Sequence, residues 1–367
     1  MKLTIDHNVL AEGVAWAAHA LTTRPAVPVL TGLLLEADDG ELTISAFDYD
    51  TSRRISIGAD IAEPGKVLLP GRVLAEVVKS LPKQPVTLTL SGAEINITCG
   101  SAEFVLLTMP ADDYPTLPDV PETVGVVDGR TFAAAVAQVA PATAHDDKLP
   151  MLDCIRVDLT DQQITLAATD RYRIAARELG WESHTFVDTG IMIPGRTLVD
   201  IAKSLPAGPV SGGITDGLAA FTGNGRTTTV RLIDERFIDY NARLGLADWT
   251  TWVEAGVDEL TSAVKRVALV LDRAGAIRLT WSDGQVLVQA GGGDTGRGAE
   301  TVPADLVDGP PIEIAFQPQF FLDGLAGVEG SRARIGMTQP SKPALILPAD
   351  GGDTPAYRYL VMALRIS

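Results

Sequence analysis

The chain has 367 residues, 46% of them hydrophobic and 21% charged, with 47 acids against 30 bases for a formal net charge of −17. That is an ordinary globular composition with room for two or three domains, each large enough for its own core, and its acidity argues against a surface coated in nucleic acid. Met1 to Asp6 lacks a basic stretch followed by an apolar one, and no uncharged apolar run approaches the ~20 residues of a membrane span. A soluble, cytoplasmic protein is therefore expected. Cys99 and Cys154 lie in apolar, strand-like surroundings, which predicts buried free thiols in a reducing compartment.

Taken in chain order, the pattern is written three times. Leu3–Ile5 reads as a strand, and Asn8–Leu21 as a helix with Leu10, Val14, Ala17 and Leu21 on one face. Val29–Ala37 and Glu41–Ala46 flank the turn triplet Asp38-Asp39-Gly40 and predict a hairpin. Lys66–Leu69 then feeds a helix over Arg72–Leu81, and strands follow at Val86–Leu90, Glu94–Cys99 and Phe104–Met109. The second copy runs Val126–Val127, helix Gly129–Val139, hairpin Pro150–Leu159 with Gln163–Ala168, strand Gly190–Ile193, helix Arg196–Leu205, and strands Val210–Thr215, Leu218–Thr222 and Thr228–Ile233. The third runs Thr251–Val253, helix Asp258–Leu271, hairpin Ala276–Trp281 with Gln285–Ala290, strand Ile312–Phe316, helix Gln319–Val328, and strands Ala333–Met337 and Ala344–Leu347.

One phrase makes the duplication explicit. Pro70 to Pro82 and Pro194 to Pro206 both read P-G-R-x-L-x-x-x-x-K-S-L-P, 124 positions apart. Pro28 and Pro150, like Asp48 and Asp170, are 122 apart. So long a period means duplicated domains, not a solenoid of ~20–50-residue repeats. Proline and turn residues mark the boundaries and predict domains at 1–121, 122–247 and 248–367, each with two helices packed on antiparallel sheets, an α+β class.

Chemistry-bearing motifs are few. Gly291–Gly298 looks like a phosphate cradle but lacks the Gly-Lys-Ser/Thr ending, and it is expected to be a flexible loop. Gly223-Asn224-Gly225 predicts a hairpin turn. His7, His19, His145 and His184 are too scattered for a metal site, and His145-Asp146-Asp147 has no nucleophile beside it. No catalytic constellation, cofactor or metal site is expected. An enzyme of duplicated β-rich domains would need polar residues converging in one cleft, and the sequence offers none.

The triple repeat with its P-G-R helix resembles the bacterial sliding clamp, the beta subunit of DNA polymerase III. The motifs that carry the resemblance are Arg24-Pro25…Pro28-Val29-Leu30, Ala168-Thr169-Asp170-Arg171-Tyr172-Arg173, Arg236-Phe237…Asp239-Tyr240 and Tyr359 to Ile366. The T-D-R-Y-R form and Lys265–Val270 suggest the actinobacterial branch. The resemblance implies a DNA clamp fold and a head-to-tail homodimeric ring, six domains around a hole lined by twelve helices. At ~10 Å spacing the circumference is about 120 Å, and roughly 28 Å stays clear, enough for hydrated duplex DNA. It implies partners as well: double-stranded DNA held without sequence specificity, the replicative polymerase alpha subunit, the clamp loader and other proteins with a clamp-binding motif, in a nucleoid-associated cytoplasmic protein.

The acidity is compatible with this, because a sliding ring must not grip its track. A few inner cations attract phosphates without reading bases. Candidates are Arg24, Arg72, Lys79, Arg196, Lys203, Lys265 and Arg266, although each also suits a solvated helix face. The ring-closing contact implied by the resemblance uses Phe104, Leu106, Leu269 and Val270.

The resemblance also implies a hydrophobic pocket for partner peptides. Carried over by position, its walls are Leu152, Thr169, Arg171, Tyr172, Arg173, Ile174, Ile238, Pro343, Leu360, Val361 and Met362, completed by Ala363, Leu364 and Arg365. Three departures fall here: the family commonly has proline at the positions of Ile238 and Gly245, and Met-Pro-x-Arg-Leu where this chain has Met362 to Ile366. Replacing proline frees φ and restores a backbone donor. Two explanations stand: drift of a housekeeping clamp, or a second clamp copy whose altered pocket gives self-resistance to a clamp-binding antibiotic.

Overall fold

The computed structural model describes residues 1–21, 25, 27–144, 148–246, 249–272, 275–293, 296–352 and 354–365. The first third of the chain forms β1 (Lys2–Ile5), α1 (His7–Ala18), β2 (Gly32–Asp38), β3 (Glu41–Phe47), β4 (Thr51–Gly58), β5 (Asp60–Glu63), β6 (Gly65–Pro70), α2 (Gly71–Ser80), β7 (Val86–Ser91), β8 (Glu94–Cys99) and β9 (Ala102–Leu107). The second forms β10 (Thr123–Asp128), α3 (Gly129–Val139), β11 (Cys154–Leu159), β12 (Gln163–Thr169), β13 (Arg173–Gly180), β14 (Glu182–Ser183), β15 (Thr189–Pro194), α4 (Gly195–Ser204), β16 (Pro209–Thr215), β17 (Leu218–Gly223) and β18 (Arg226–Arg231). The third forms β19 (Thr251–Gly256), α5 (Val257–Val267), β20 (Ile277–Ser282), β21 (Gln285–Gly293), β22 (Gly296–Asp308), β23 (Ile312–Phe316), α6 (Pro318–Ala326), β24 (Arg332–Met337), β25 (Ala344–Pro348) and β26 (Tyr357–Val361).

Local chemistry explains where the helices begin and end. The Asp6 carboxylate caps α1 by accepting from the amides of Asn8 at 2.8 Å and Val9 at 3.2 Å. The α-helix stops at Ala18, short of the expected Leu21, because Ala20 and Leu21 bond back only three residues, to Ala17 and Ala18, and tighten the last turn. Helix α5 also ends early, at Val267, and Ala268–Val270 continues as a 3-10 turn. It has Asp258 and Glu259 in its first turn and Lys265 and Arg266 in its last, the order the helix dipole favours.

The chain divides into two compact units. The first comprises residues 1–129, 183–185 and 204–232. One of its sheets has the order β5-β1-β7-β8-β9, and another runs β14-β10-β16-β17-β18-β4-β3-β2-β6. Leu10, Val14 and Ala17 of α1 and Leu74 and Val78 of α2 join one core with Leu33, Leu35, Ile44, Leu88 and Ile97 from the strands. Each such Leu or Val contributes about 1.5–3 kcal/mol on burial.

The second unit comprises residues 130–182, 186–203 and 233–367. Its 12-stranded sheet has the order β15-β11-β12-β13-β26-β25-β24-β19-β22-β21-β20-β23. Helix α5 buries Leu260, Ala263, Val264 and Val267, and α6 buries Phe321 and Leu325.

Each unit contains a strand pair that joins one repeat to the next. In the first unit β4 pairs antiparallel with β18, Ser52 opposite Thr229. In the second β13 pairs antiparallel with β26, Ile174 opposite Leu360. Strands β4, β13 and β22 were not among the expected elements, and neither was β26, which closes the third repeat as β9 and β18 close the others. Of Gly291–Gly298, expected to be a flexible loop, the described residues end β21 and begin β22, Gly291 pairing with Arg297 and Gly293 with Gly296, while Asp294 and Thr295 lie outside the described residues. At Gly223-Asn224-Gly225 the hairpin turn is present, with φ of 52° at Asn224 and 72° at Gly225. Cys99 and Cys154 are buried and free, and burial pushes the Cys154 thiol up to about 11.

Candidate functional site

Within the second unit, a cleft of about 640 Å³ opens beside the β12–β13 turn. Ile174 and Leu360 of its lining belong to an apolar cluster with Leu244 and Leu345, against which Ile238 and Trp249, also in the lining, are packed. The lip is the turn Thr169 to Arg173. Asp170 Oδ1 accepts from the amides of Tyr172 at 2.9 Å and Arg173 at 3.0 Å, and Thr169 Oγ1 donates to Arg173 O at 2.7 Å. These bonds hold Arg171 at φ 77°, a left-handed conformation that costs a non-glycine residue about 1 kcal/mol or more. The C-terminal segment is tied to the same lip, because Met362 N donates to Tyr172 O at 2.9 Å.

Ten residues expected on sequence grounds meet in this cleft: Leu152, Thr169, Arg171, Tyr172, Arg173, Ile174, Ile238, Pro343, Leu360 and Met362. Four do not line it. Strand alternation turns Val361 to the opposite face, where it is fully buried, while Leu360 and Met362 face the cleft. Ala363, Leu364 and Arg365 follow the chain away from it, and Leu364 N donates to Ala315 O on β23 at 2.8 Å. Sequence reasoning missed Leu149 and Met151, Ala242, Arg243 and Trp249, and Thr338 and Lys342. Leu149 and Met151 flank the expected Leu152, and an isolated Trp249 beside a domain boundary was the available signal. Gly245, noted as a departure, lies in the wall together with Ile238.

Among the described residues the lining carries no carboxylate, whereas Arg171, Arg243 and Lys342 stand exposed at its edge. Arg173 is different: its side chain is buried and bonded to Asp170, Asp323 and Tyr359. Burial opposes its charge, and these contacts outweigh the penalty and hold the guanidinium above the ordinary arginine value. The result is an apolar hole with a cationic rim, suited to anchoring bulky apolar side chains of an extended segment.

The other expected residues lie elsewhere. Arg72 and Lys79 are exposed on α2, Arg196 and Lys203 on α4, and Lys265 on α5; Arg24 lies outside the described residues, as does His145-Asp146-Asp147. Arg266 is exposed too, but its guanidinium is engaged by Glu300 of β22, with Nε donating at 2.9 Å, and this bond holds the Glu300 carboxyl below the usual range. Phe104 and Leu106 turn partly inward against the core of the first unit, leaving Val105 (50% exposed) and Leu107 (67%) outward. Leu269 is 83% exposed, and Val270 is half-buried. Among the described residues, no group of three or more His, Cys, Asp or Glu is placed to hold a metal ion. Nor, among the described residues, is any helix long and apolar enough to cross a membrane.

Three copies of one helix-and-sheet unit, joined strand to strand, define a protein of the DNA-clamp fold. Family models agree along the chain: the N-terminal domain of the DNA polymerase III beta subunit matches residues 1–118, the central domain 126–239 and the C-terminal domain 247–364. The beta sliding clamp of Streptomyces coelicolor is 42% identical over 377 residues, covering 100% of both chains. A clamp homologue named GriR from Streptomyces muensis is 40% identical, covering 100% of this chain and 99% of that one. The crystal structure of the Bacillus subtilis sliding clamp superposes with a TM-score of 0.94 at 25% identity, covering 100% of both chains. The chain belongs to the DNA polymerase III beta subunit family, the bacterial beta sliding clamps, and is of actinobacterial type; its function is that of a DNA polymerase processivity factor.

Proposed function

We propose that two copies of this chain close head to tail into a ring around duplex DNA and tether replication and repair proteins through the cleft beside Tyr172. The observation that carries the ring is a repeated register. Hairpin partners Phe47–Ser52, Thr169–Ile174 and Gly291–Arg297 occupy equivalent places in β3–β4, β12–β13 and β21–β22. Hairpins Cys99–Ala102 and Gly223–Arg226 make β9 the equivalent of β18. Ser52 faces Thr229 in β4–β18, so the third junction pairs Arg297 of β22 with Val105 of β9. Strand β9 ends its sheet, and residues 296–303 of β22 have β21 on one side and no described strand on the other. Both edges are therefore open for a second copy. The exposed face of that seam is Val105, Leu107 and Leu269, with Phe104, Leu106 and Val270 behind it.

This reading divides the chain into clamp domains 1–121, 122–247 and 248–367. Arg72, Lys79, Arg196, Lys203 and Lys265 give the inner helices weak, sequence-blind attraction for phosphates, and the net charge of −17 limits adhesion elsewhere. Arg266, bonded to Glu300, serves the seam more than the DNA. The cleft receives short peptides with Leu or Phe anchors and acidic flanks, which match its rim of Arg171, Arg243 and Lys342. Their sources are the replicative polymerase alpha subunit, the clamp loader and other clamp-binding proteins. The protein is a scaffold without catalysis, working on the nucleoid in the cytoplasm. Native mass tests the assembly: twice 38.7 kDa supports a two-chain ring, and a monomer at micromolar concentration contradicts it.

A second reading is favoured by Ile238 and Gly245, both in the cleft wall where the family commonly has proline. In it, the chain is a clamp copy whose pocket evades an antibiotic directed at the normal one. A clamp from Pseudomonas aeruginosa, of the same fold with a TM-score of 0.92 at 24% identity, is solved bound to griselimycin. Griselimycin titration decides: binding weaker than to the S. coelicolor clamp supports resistance, and equal binding contradicts it.

A further inference from the structure

Two residues of α6 that line no part of the cleft, Phe320 and Asp323, pack behind one of its walls. Tyr172 is 58% exposed, and its ring stacks on Phe320 with centroids 6.1 Å apart at 27°. The Arg173 guanidinium sits 4.3 Å from the centroid of the same Phe320 ring. Arg173 Nε donates to Asp170 Oδ2 at 2.8 Å, and its Nη1 donates to Asp323 and to Tyr359 Oη. Asp323 Oδ1 accepts from Gln319 Nε2 at 2.7 Å, and Tyr359 Oη donates to Phe320 O at 2.8 Å. The lip, α6 and β26 thus meet in one hydrogen-bonded cluster around a buried cation.

The turn itself does not require this cluster. The first repeat makes the same turn at Asp48–Thr51, with Tyr49 at φ 75° against 77° at Arg171. Asp48 Oδ1 accepts there from the amides of Asp50 at 3.1 Å and Thr51 at 2.6 Å, as Asp170 does for Tyr172 and Arg173. Thr51 stands where Arg173 stands, and no guanidinium is needed. At the foot of that first turn stands the buried Phe47, whereas its second-repeat counterpart, Thr169, lines the cleft. The arginine cluster stands at the cleft, against the exposed Tyr172 wall.

We propose that Arg173, Phe320 and Asp323 are positioning residues that hold the Tyr172 ring as a preformed wall, so that α6 sets the affinity of the cleft for a peptide anchor. The proposal rests on the peptide-pocket reading. A side chain held in its bound conformation loses less entropy on binding. Because α6 belongs to the third repeat and the lip to the second, movement of the helix also reaches the cleft.

The test is a double-mutant cycle read by fluorescence anisotropy. The probe is a labelled peptide of two leucines and one phenylalanine flanked by aspartates. Asp323→Asn and Phe320→Leu are each expected to weaken binding about 5- to 10-fold, and Tyr172→Ala by at least as much. Combined with Tyr172→Ala, either α6 variant is expected to add less than twofold, because it acts through that ring. Thermal unfolding checks that the variants fold, and a 19F resonance of 3-fluorotyrosine at Tyr172 is expected to lose its ring-current shift in both α6 variants. Unchanged affinity, or losses that multiply with that of Tyr172→Ala, overturns the positioning role while the pocket reading stands. A wild-type chain that does not take up the peptide overturns both.

Discussion

Tyr240 donates its phenolic hydrogen to Asp158 Oδ2 at 2.7 Å, tying the segment that carries Ile238 to strand β11. Burial, with the Asp158 carboxylate beside it, holds the Tyr240 phenol well above its ordinary value and keeps it a donor at neutral pH. Asp158 also accepts from Arg156 Nε at 2.7 Å and keeps one partner if the phenol is lost. Tyr240→Phe is therefore expected to cost about 1–2 kcal/mol, since the bond is to a charged group but only partly buried. Urea unfolding measures this, and peptide affinity should fall with it because the Ile238 wall loosens.

Gly245 has ordinary backbone angles, and a Cβ built there meets nothing within 4 Å. Gly245→Ala is expected to stabilise the chain by about 0.4–1 kcal/mol through the unfolded state, with peptide affinity unchanged. Ile238→Ala removes wall instead, and a several-fold loss of peptide affinity is expected in the same titration. A large loss at Gly245→Ala would mean that the missing Cβ, and not Ile238, shapes the cleft.

The rim charges predict a salt dependence. Arg243→Glu and Lys342→Glu each reverse a charge on a rim whose described residues are cationic. Each is expected to weaken an aspartate-flanked peptide by about tenfold at low salt, and the difference should shrink toward 0.5 M salt as the Debye length drops below ~5 Å. A neutral-flanked peptide should respond little to either variant.

The seam register yields a cross-linking prediction. In β4–β18 the Ser52 and Thr229 hydroxyls are 2.6 Å apart. Cysteines at the equivalent positions, Arg297→Cys and Val105→Cys, therefore lie within disulfide reach across two copies. Oxidation should give a covalent dimer, whereas Val105→Cys with Ala299→Cys, two residues out of register, should not.

Much of the repeat was legible because its helices and hairpins carry strong apolar periodicity. The elements that were not legible are the joining strands. Strand β4 contains Ser52, Arg53 and Arg54, and β22 opens Gly296-Arg297-Gly298. Neither shows clean alternation, because a strand between two neighbours draws its stability from backbone pairing as much as from a buried face. Arg53 illustrates this: it is buried, donates to Trp16 O at 3.1 Å and stacks near the Trp16 ring, a setting local hydropathy does not signal. In the cleft, positional carry-over found the turn and the strand residues. It overreached at Val361 and beyond, where alternation and the bond from Leu364 to Ala315 take the chain elsewhere. Arg243 and Lys342 escaped although they stand close in sequence to the expected Ile238 and Pro343, because exposed rim charges carry no hydropathy signal.

The claim that this chain holds DNA by enclosing it is tested most directly by topology. The clamp is loaded onto nicked circular DNA by its clamp loader, purified from free protein by gel filtration, and a single restriction cut is then made. Retention on the circle, with rapid loss from the linear product, is the predicted result, and the Val105→Cys, Arg297→Cys cross-linked ring should stay on the uncut circle longest. Equal retention on circular and linear DNA would contradict enclosure, because it would mean that the protein binds the duplex by contact alone.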